Sequence, residues 1–204
     1  MKLYDTPQAP NARRVRMFLA EKRLDIPREE INLIEGGART EAFTALNPMR
    51  AVPVLVLDDG SVLSESIAIC RYVEEAIAPE PNLFGRSPRE RAEIEMWERR
   101  AELRLWYAIA QVFRHLHPRM AALEQPQVTQ WGEANRPRAI EQLRFWNGEL
   151  GKRPFAAGDR FTIADITMLV AVDMMPRARI AMPEGLDHLA RWHATVSARP
   201  SAAA

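Results

Sequence analysis

Two short segments carry the residue types best suited to holding a small polar ligand. Val52-Pro53 lies in an apolar, strand-like run, and Glu65-Ser66 opens the helical stretch that follows, all within AVPVLVLDDGSVLSESIAICRYVEE. Proline has no N–H to donate to a ladder, so Val52-Pro53 belongs at a sheet edge, a strand start or a bend. A cis peptide bond is one way to use such a proline. It turns the preceding backbone outward and leaves the Val52 N–H and C=O for a ligand. A few residues on, a helix N-terminus offers unpaired N–H groups and the positive end of its dipole, which suit a carboxylate. Together these features make a site for a small peptide with an α-amino-acid head. The competing reading is that Glu65 and Ser66 only cap their helix.

Other reactive residue types are sparse. The single cysteine, Cys70, sits among apolar neighbours in a helical pattern and reads as a small core residue. His115 and His117 are two apart and point away from each other on a helix, while His188 and His193 stand alone. No metal site is expected.

The elements that must position these residues follow from periodicity. Lys2-Leu3-Tyr4 reads as a strand; Asn11 then reads as the N-cap of a helix with Val15, Phe18, Leu19 and the stem of Lys22 inward. Arg13, Arg14, Arg16 and Glu21 are expected to face out. Residues 30–34 alternate like a strand, 40–45 make a short helix, and Asp58-Asp59-Gly60 turns a hairpin. The order is β-α-β-α-β-β-α, a compact α/β domain over residues 1–78. Prolines 79, 81 and 88 mark residues 79–88 as a linker. From 89 to 204 the pattern is all-α: a long helix over 89–117, a second over 130–151 that Pro137 should bend or split, a third that starts on a capping box at Thr162 and Asp165, and a fourth over 186–198.

Composition excludes several classes. Net charge is +1, so there is no electrostatic case for nucleic acid or a membrane surface. The N-terminal residues lack the apolar core of a signal peptide, and no apolar run approaches the roughly 20 residues of a membrane span. One cysteine leaves no internal disulfide and suits a reducing compartment. A cytoplasmic protein is expected.

The chain resembles the cytosolic glutathione S-transferases, most nearly the bacterial, theta/nu-like kind. The carriers are Arg13-Arg14-Val15-Arg16, Asn47-Pro48 with Val52-Pro53-Val54-Leu55, Glu65-Ser66-Ile67-Ala68-Ile69, Pro81-Asn82-Leu83-Phe84-Gly85, and the run from Phe155 through Gly158-Asp159, Phe161-Thr162 and Ala164-Asp165. The resemblance implies a thioredoxin-like N-terminal domain, an all-helical C-terminal domain, a homodimer and a detoxification role. Glutathione, as co-substrate, would lie along the Pro53 loop and a hydrophobic electrophile between the domains. Val52 would offer its backbone to the cysteinyl group, with Pro53 the cis-proline. Glu65 and Ser66 would take the ammonium and carboxylate of the γ-glutamyl end.

Two departures bear on chemistry. Where serine-type members have their activating hydroxyl, this chain has Ala9; Asn11, two residues on, is then the candidate donor to the glutathione sulfur, with plain N-capping as the competing role. Thr6 and Tyr4 are fallback hydroxyls. Where related members often carry His or Gln, Ala38-Arg39 stands, so Arg39 is the candidate for the glycyl carboxylate, or else an exposed loop arginine. Arg50 replaces a common glycine, with no role assigned. Trp106, Ala110, Phe113 and His117 share one helical face beside Tyr107, either a lining for the electrophile or domain core. The leading expectation is transfer of the glutathione thiolate to an electrophile. The rivals are glutathione-dependent disulfide or peroxide reduction, and a non-catalytic glutathione-binding or interaction protein.

Overall fold

Lys2–Asp5 forms β1, with Leu3 fully buried, and the chain then turns through Thr6–Ala9 into α1, Pro10–Glu21. The helix starts one residue after Ala9 because Pro10 occupies its first position, where a fixed φ and a missing N–H cost nothing. Asn11 is therefore inside the helix and not its N-cap, which is Ala9. Arg14 and Arg16 do not face out: both are buried. Arg14 lies one turn before Phe18 and Arg16 one turn before Leu19, on different sides of a helix that is buried over most of its surface. They are tolerated there because polar partners from other segments meet them.

β2 is Arg28–Glu30, a short exposed strand parallel to β1, and not residues 30–34. Its pairing ends where β1 ends, at Asp5↔Glu30. The Asn32 side chain then accepts the N–H groups of Ile34 and Glu35 and folds the apparent alternation into a turn. A 3-10 turn, Gly37–Arg39, leads to α2, Glu41–Leu46, capped by the Thr40 hydroxyl. β3, Val54–Val56, and β4, Val62–Ser64, are joined by a hairpin in which Gly60 takes φ +83°. The sheet order is β2-β1-β3-β4, with β1, β3 and β4 antiparallel. α3, Ser66–Tyr72, runs on into a wider π-type turn, Val73–Ile77.

All 204 residues are described in this computed structural model, and they fall into two units: Met1–Asn82 with Pro200–Ala204, and Leu83–Arg199. The division lies inside the stretch expected as a linker. Buried Glu74 fixes its first part to the first unit, accepting from Lys22 Nζ at 2.9 Å and from Asn82 Nδ2 at 2.7 Å, while Lys22 also donates to the Pro81 carbonyl. The last residues return to that unit: Arg13 donates to the Ala202 carbonyl at 2.9 Å.

The second unit is all helical. α4, Pro88–Arg100, passes through a π-type segment, Ala101–Trp106, into α5, Tyr107–Leu116. α6, Thr129–Leu150, is neither split nor ended by Pro137. α7, Ile163–Asp173, is buried over nearly its whole length, and α8 is Asp187–Ser197. Ile94, Leu105, Ile109, Leu143, Trp146 and Trp192 are among its core side chains. No helix is long and apolar enough to cross a membrane.

Asp165 anchors α7. Its Oδ2 accepts from the Thr162 N–H, and its Oδ1 from the Ala156 N–H and Trp192 Nε1, at 2.8–2.9 Å. Burial nevertheless pushes this carboxyl up from its ordinary value. An acid whose folded pKa is raised contributes its full stability below the unfolded value and loses it as pH rises through the folded one. Asp165→Asn keeps the shape but turns an NH2 toward N–H donors, leaving buried donors unpaired. It should lower stability by about 1–3 kcal/mol and flatten the decline of stability from acid to neutral pH. Thermal melts across that range check this; an unchanged melting temperature would count against it.

Candidate functional site

Five buried apolar residues gather the segments singled out in the sequence. Ala12, Ala38, Phe43, Val52 and Val54 pack into one cluster, against which Tyr4 and Ala9 also lie. Ala12 and Ala9 bring the start of α1, Ala38 brings the turn that ends at Arg39, and Val52 brings the proline loop. The loop itself is shaped by Asn47, whose amide donates to the Ala51 carbonyl at 2.8 Å and accepts from the Met49 N–H at 3.1 Å. Asn47 O also accepts the N–H of Arg50, which is exposed and has φ +54°. The Val52-Pro53 peptide bond is cis.

β3 pairs Val54 with Tyr4 on one side and Ser64 on the other. Val52 lies beyond both ladders, and its main-chain N–H and C=O have no hydrogen-bond partner. Continuing the antiparallel register places Val52 opposite Ser66. Glu65 adopts φ +69°, ψ +117°, a conformation that costs a non-glycine residue about 1–3 kcal/mol and that clusters at ligand sites. Its exposed carboxylate makes no cap hydrogen bond to α3 and no ion pair. Ser66, by contrast, is 5% exposed, and its hydroxyl accepts from Arg14 Nη1 at 3.4 Å. A fully buried guanidinium thus sits behind the first residue of α3 and adds to the positive end of its dipole.

At the start of α1, Pro10 has no N–H and the Arg13 N–H is bonded to Ala9 O at 3.0 Å. The N–H groups of Asn11 and Ala12 are the unbonded pair of the first turn. Neither amide atom of the Asn11 side chain is hydrogen-bonded, and Oδ1 is shut off from solvent, so Nδ2 is the end open to a ligand. The fallback hydroxyls fare differently. Thr6 Oγ1 donates to the Ile31 carbonyl at 2.5 Å and is committed, while Tyr4 stacks edge-on against Phe43. Arg39 is exposed at the end of its turn, with its backbone N–H on Gly36 O at 2.7 Å.

In the second unit, Trp106, Ala110, Phe113 and His117 are all half-buried, with Phe113 and His117 rings 4.9 Å apart and Tyr107 46% exposed. The core positions of that helical line are Leu105, Ala108, Ile109 and Val112 instead. The aromatic stripe is therefore not the face that fills the core. Cys70 is fully buried. His115 is buried, with Nδ1 accepting from the Val128 N–H, and His193 faces Asp173. No group of three or more His, Cys, Asp or Glu side chains converges.

Residues 9–76 match the family model for the glutathione S-transferase N-terminal domain, and residues 112–200 the one for the glutathione S-transferase C-terminal domain. The chain is 35% identical to glutathione S-transferase 2 of Saccharomyces cerevisiae, over 98% of its own length and 87% of that protein. It is 32% identical to the maleylacetoacetate isomerase of Pseudomonas aeruginosa, covering 88% of each. Among solved structures, a glutathione S-transferase domain-containing protein of Marinobacter aquaeolei superposes with a TM-score of 0.95 at 40% identity, over 98% of this chain and 99% of that one.

Because Glu65 has no partner inside the protein, Glu65→Gln should change stability by less than about 0.5 kcal/mol. A clear fall in melting temperature would show that the carboxylate stabilises the fold.

Proposed function

The chain belongs to the glutathione S-transferase family, and we propose that it works as a glutathione transferase through the site on its first unit. The observation that carries this reading is the unbonded main chain of Val52, whose side chain packs in one apolar cluster with Ala12 and Ala38, the neighbours in sequence of Asn11 and Arg39. The backbone of an extended tripeptide would pair with Val52 as one more strand. Its γ-glutamyl ammonium would meet the Glu65 carboxylate, and its α-carboxylate the Ser66 N–H and hydroxyl, with Arg14 behind them. Arg39 would take the glycyl carboxylate.

Chemistry then depends on the sulfur, because the thiolate is the nucleophile. Asn11 Nδ2 and the N–H groups of Asn11 and Ala12 would donate to it, so the S–H proton leaves to solvent at a lower pH than in free glutathione. The thiolate attacks the electrophile, a C–S bond forms, and the leaving group departs. Trp106, Tyr107, Ala110 and Phe113 would line the apolar acceptor's site. In this reading residues 1–78 form a thioredoxin-like glutathione domain, and residues 89–204 the helical one. The enzyme would be a cytoplasmic homodimer with a role in detoxification.

The committed Thr6 hydroxyl and the methyl of Ala9 favour a second reading, glutathione-dependent disulfide or peroxide reduction, which asks less of an enzyme hydroxyl. Calorimetry with glutathione and turnover with aryl halides, peroxides and disulfides decide between them. Glu65→Ala should weaken glutathione binding about tenfold, and Asn11→Ala should raise the bound thiol's pKa by about one unit. Absence of binding by the wild-type protein would overturn the whole reading; turnover of disulfides or peroxides alone would select the second.

A further inference from the structure

The loop between β1 and α1 is held from behind by two buried charges. Arg16 Nη1 donates to Asp5 Oδ1 at 2.7 Å and to the Thr6 carbonyl at 3.4 Å, and its Nη2 donates to the Pro7 carbonyl at 2.9 Å. Asp5 Oδ1 also accepts the Thr6 N–H at 2.6 Å. Both side chains are more than nine-tenths buried, Arg16 at 8% and Asp5 at 6% exposure. Thr6 O takes the Ala9 N–H as well, at 2.9 Å, which closes the turn one residue before Pro10. The polar pair therefore fixes the carbonyl side of the turn, and so where the first turn of α1 begins.

Apolar packing does not do this from the same side. Behind the loop lies a groove of about 560 Å3, bounded by Pro7, Leu19, Leu24 and Ile26 as well as by Asp5 and Arg16. A loop backed by open space has its position set by the directional bonds that cross to it. Arg16 supplies two of these, to the Thr6 and Pro7 carbonyls, from one rigid, planar group that a third bond ties to Asp5.

We propose that Arg16, anchored by Asp5, is the positioning residue for the sulfur-binding end of the site. It sets the turn so that the unbonded N–H groups of Asn11 and Ala12 and the Asn11 amide meet one atom. The inference rests on the glutathione reading above. Arg16 touches no ligand in it, and Val52, Glu65 and Ser66, which would hold the peptide, lie on other segments. Loosening the turn should thus move the chemistry of the sulfur and leave recognition of the peptide in place.

The test compares the intact wild-type protein with Arg16→Lys, Arg16→Met and Asp5→Asn. Glutathione affinity is measured by calorimetry, the bound thiol's pKa by ultraviolet titration, and kcat and KM by steady-state kinetics. Arg16→Met should raise the bound thiol's pKa by about one unit and lower kcat at neutral pH about tenfold, with affinity and KM for glutathione within about twofold. Arg16→Lys, which keeps the charge but reaches fewer acceptors, should fall between. If Arg16→Met does not fold, Asp5→Asn decides, since it keeps the shape and the Thr6 contact while weakening the anchor. An unshifted thiol pKa in the variants, against a lowered one in wild type, overturns the positioning role alone. Affinity falling in parallel with kcat also overturns it. A wild-type protein that neither binds glutathione nor lowers its thiol pKa overturns the functional reading instead.

Discussion

Ala12, Ala38, Phe43, Val52 and Val54 pack together from four separate segments, and the candidate site depends on that contact. Three of these segments carry a polar group on the flank: Asn11 beside Ala12, Arg39 beside Ala38, and the unbonded backbone of Val52 itself. Burying small apolar side chains costs little entropy and gains about 25 cal/mol per Å2 of surface removed from water. The cluster thus brings these segments together by apolar packing, and the hydrogen-bonding capacity of the Asn11 amide and the Val52 main chain stays available to a ligand.

The polar interactions of the first unit fall into two kinds. Arg16, Lys22 and Glu74 are buried and matched with partners inside the protein, where an unpaired charge would be costly. Glu65, the Asn11 amide and the Val52 main chain have no such partners. Glu65 also holds a strained backbone conformation that nothing in its own side chain offsets. This separation between satisfied and unsatisfied groups points to where a ligand's polar atoms would go.

Much of this was readable in the residues. The Val52-Pro53 break and the Glu65-Ser66 helix start were legible because proline and helix ends obey local rules, and the two-domain order because periodicity is local too. The faces of Arg14 and Arg16 were misjudged because their partners, Ser66 and Asp5, lie on other elements. Charge alone suggested solvent, although their spacing to Phe18 and Leu19 pointed inward. Residues 30–34 alternate like a strand, but the length of β1 and the Asn32 turn decide where pairing stops. Asn11 lost its capping role to Ala9 once Pro10 took the first helical position. The half-burial of the Trp106 stripe depends on packing that no local pattern specifies.

The central claim is that this site stabilises a thiolate without an enzyme hydroxyl beside it. The most direct measurement is the pKa of the glutathione thiol in its complex with the wild-type protein, read from thiolate absorbance as pH is varied. The account predicts a value clearly below that of free glutathione, by about one unit or more. A bound thiol that titrates where the free one does would contradict it.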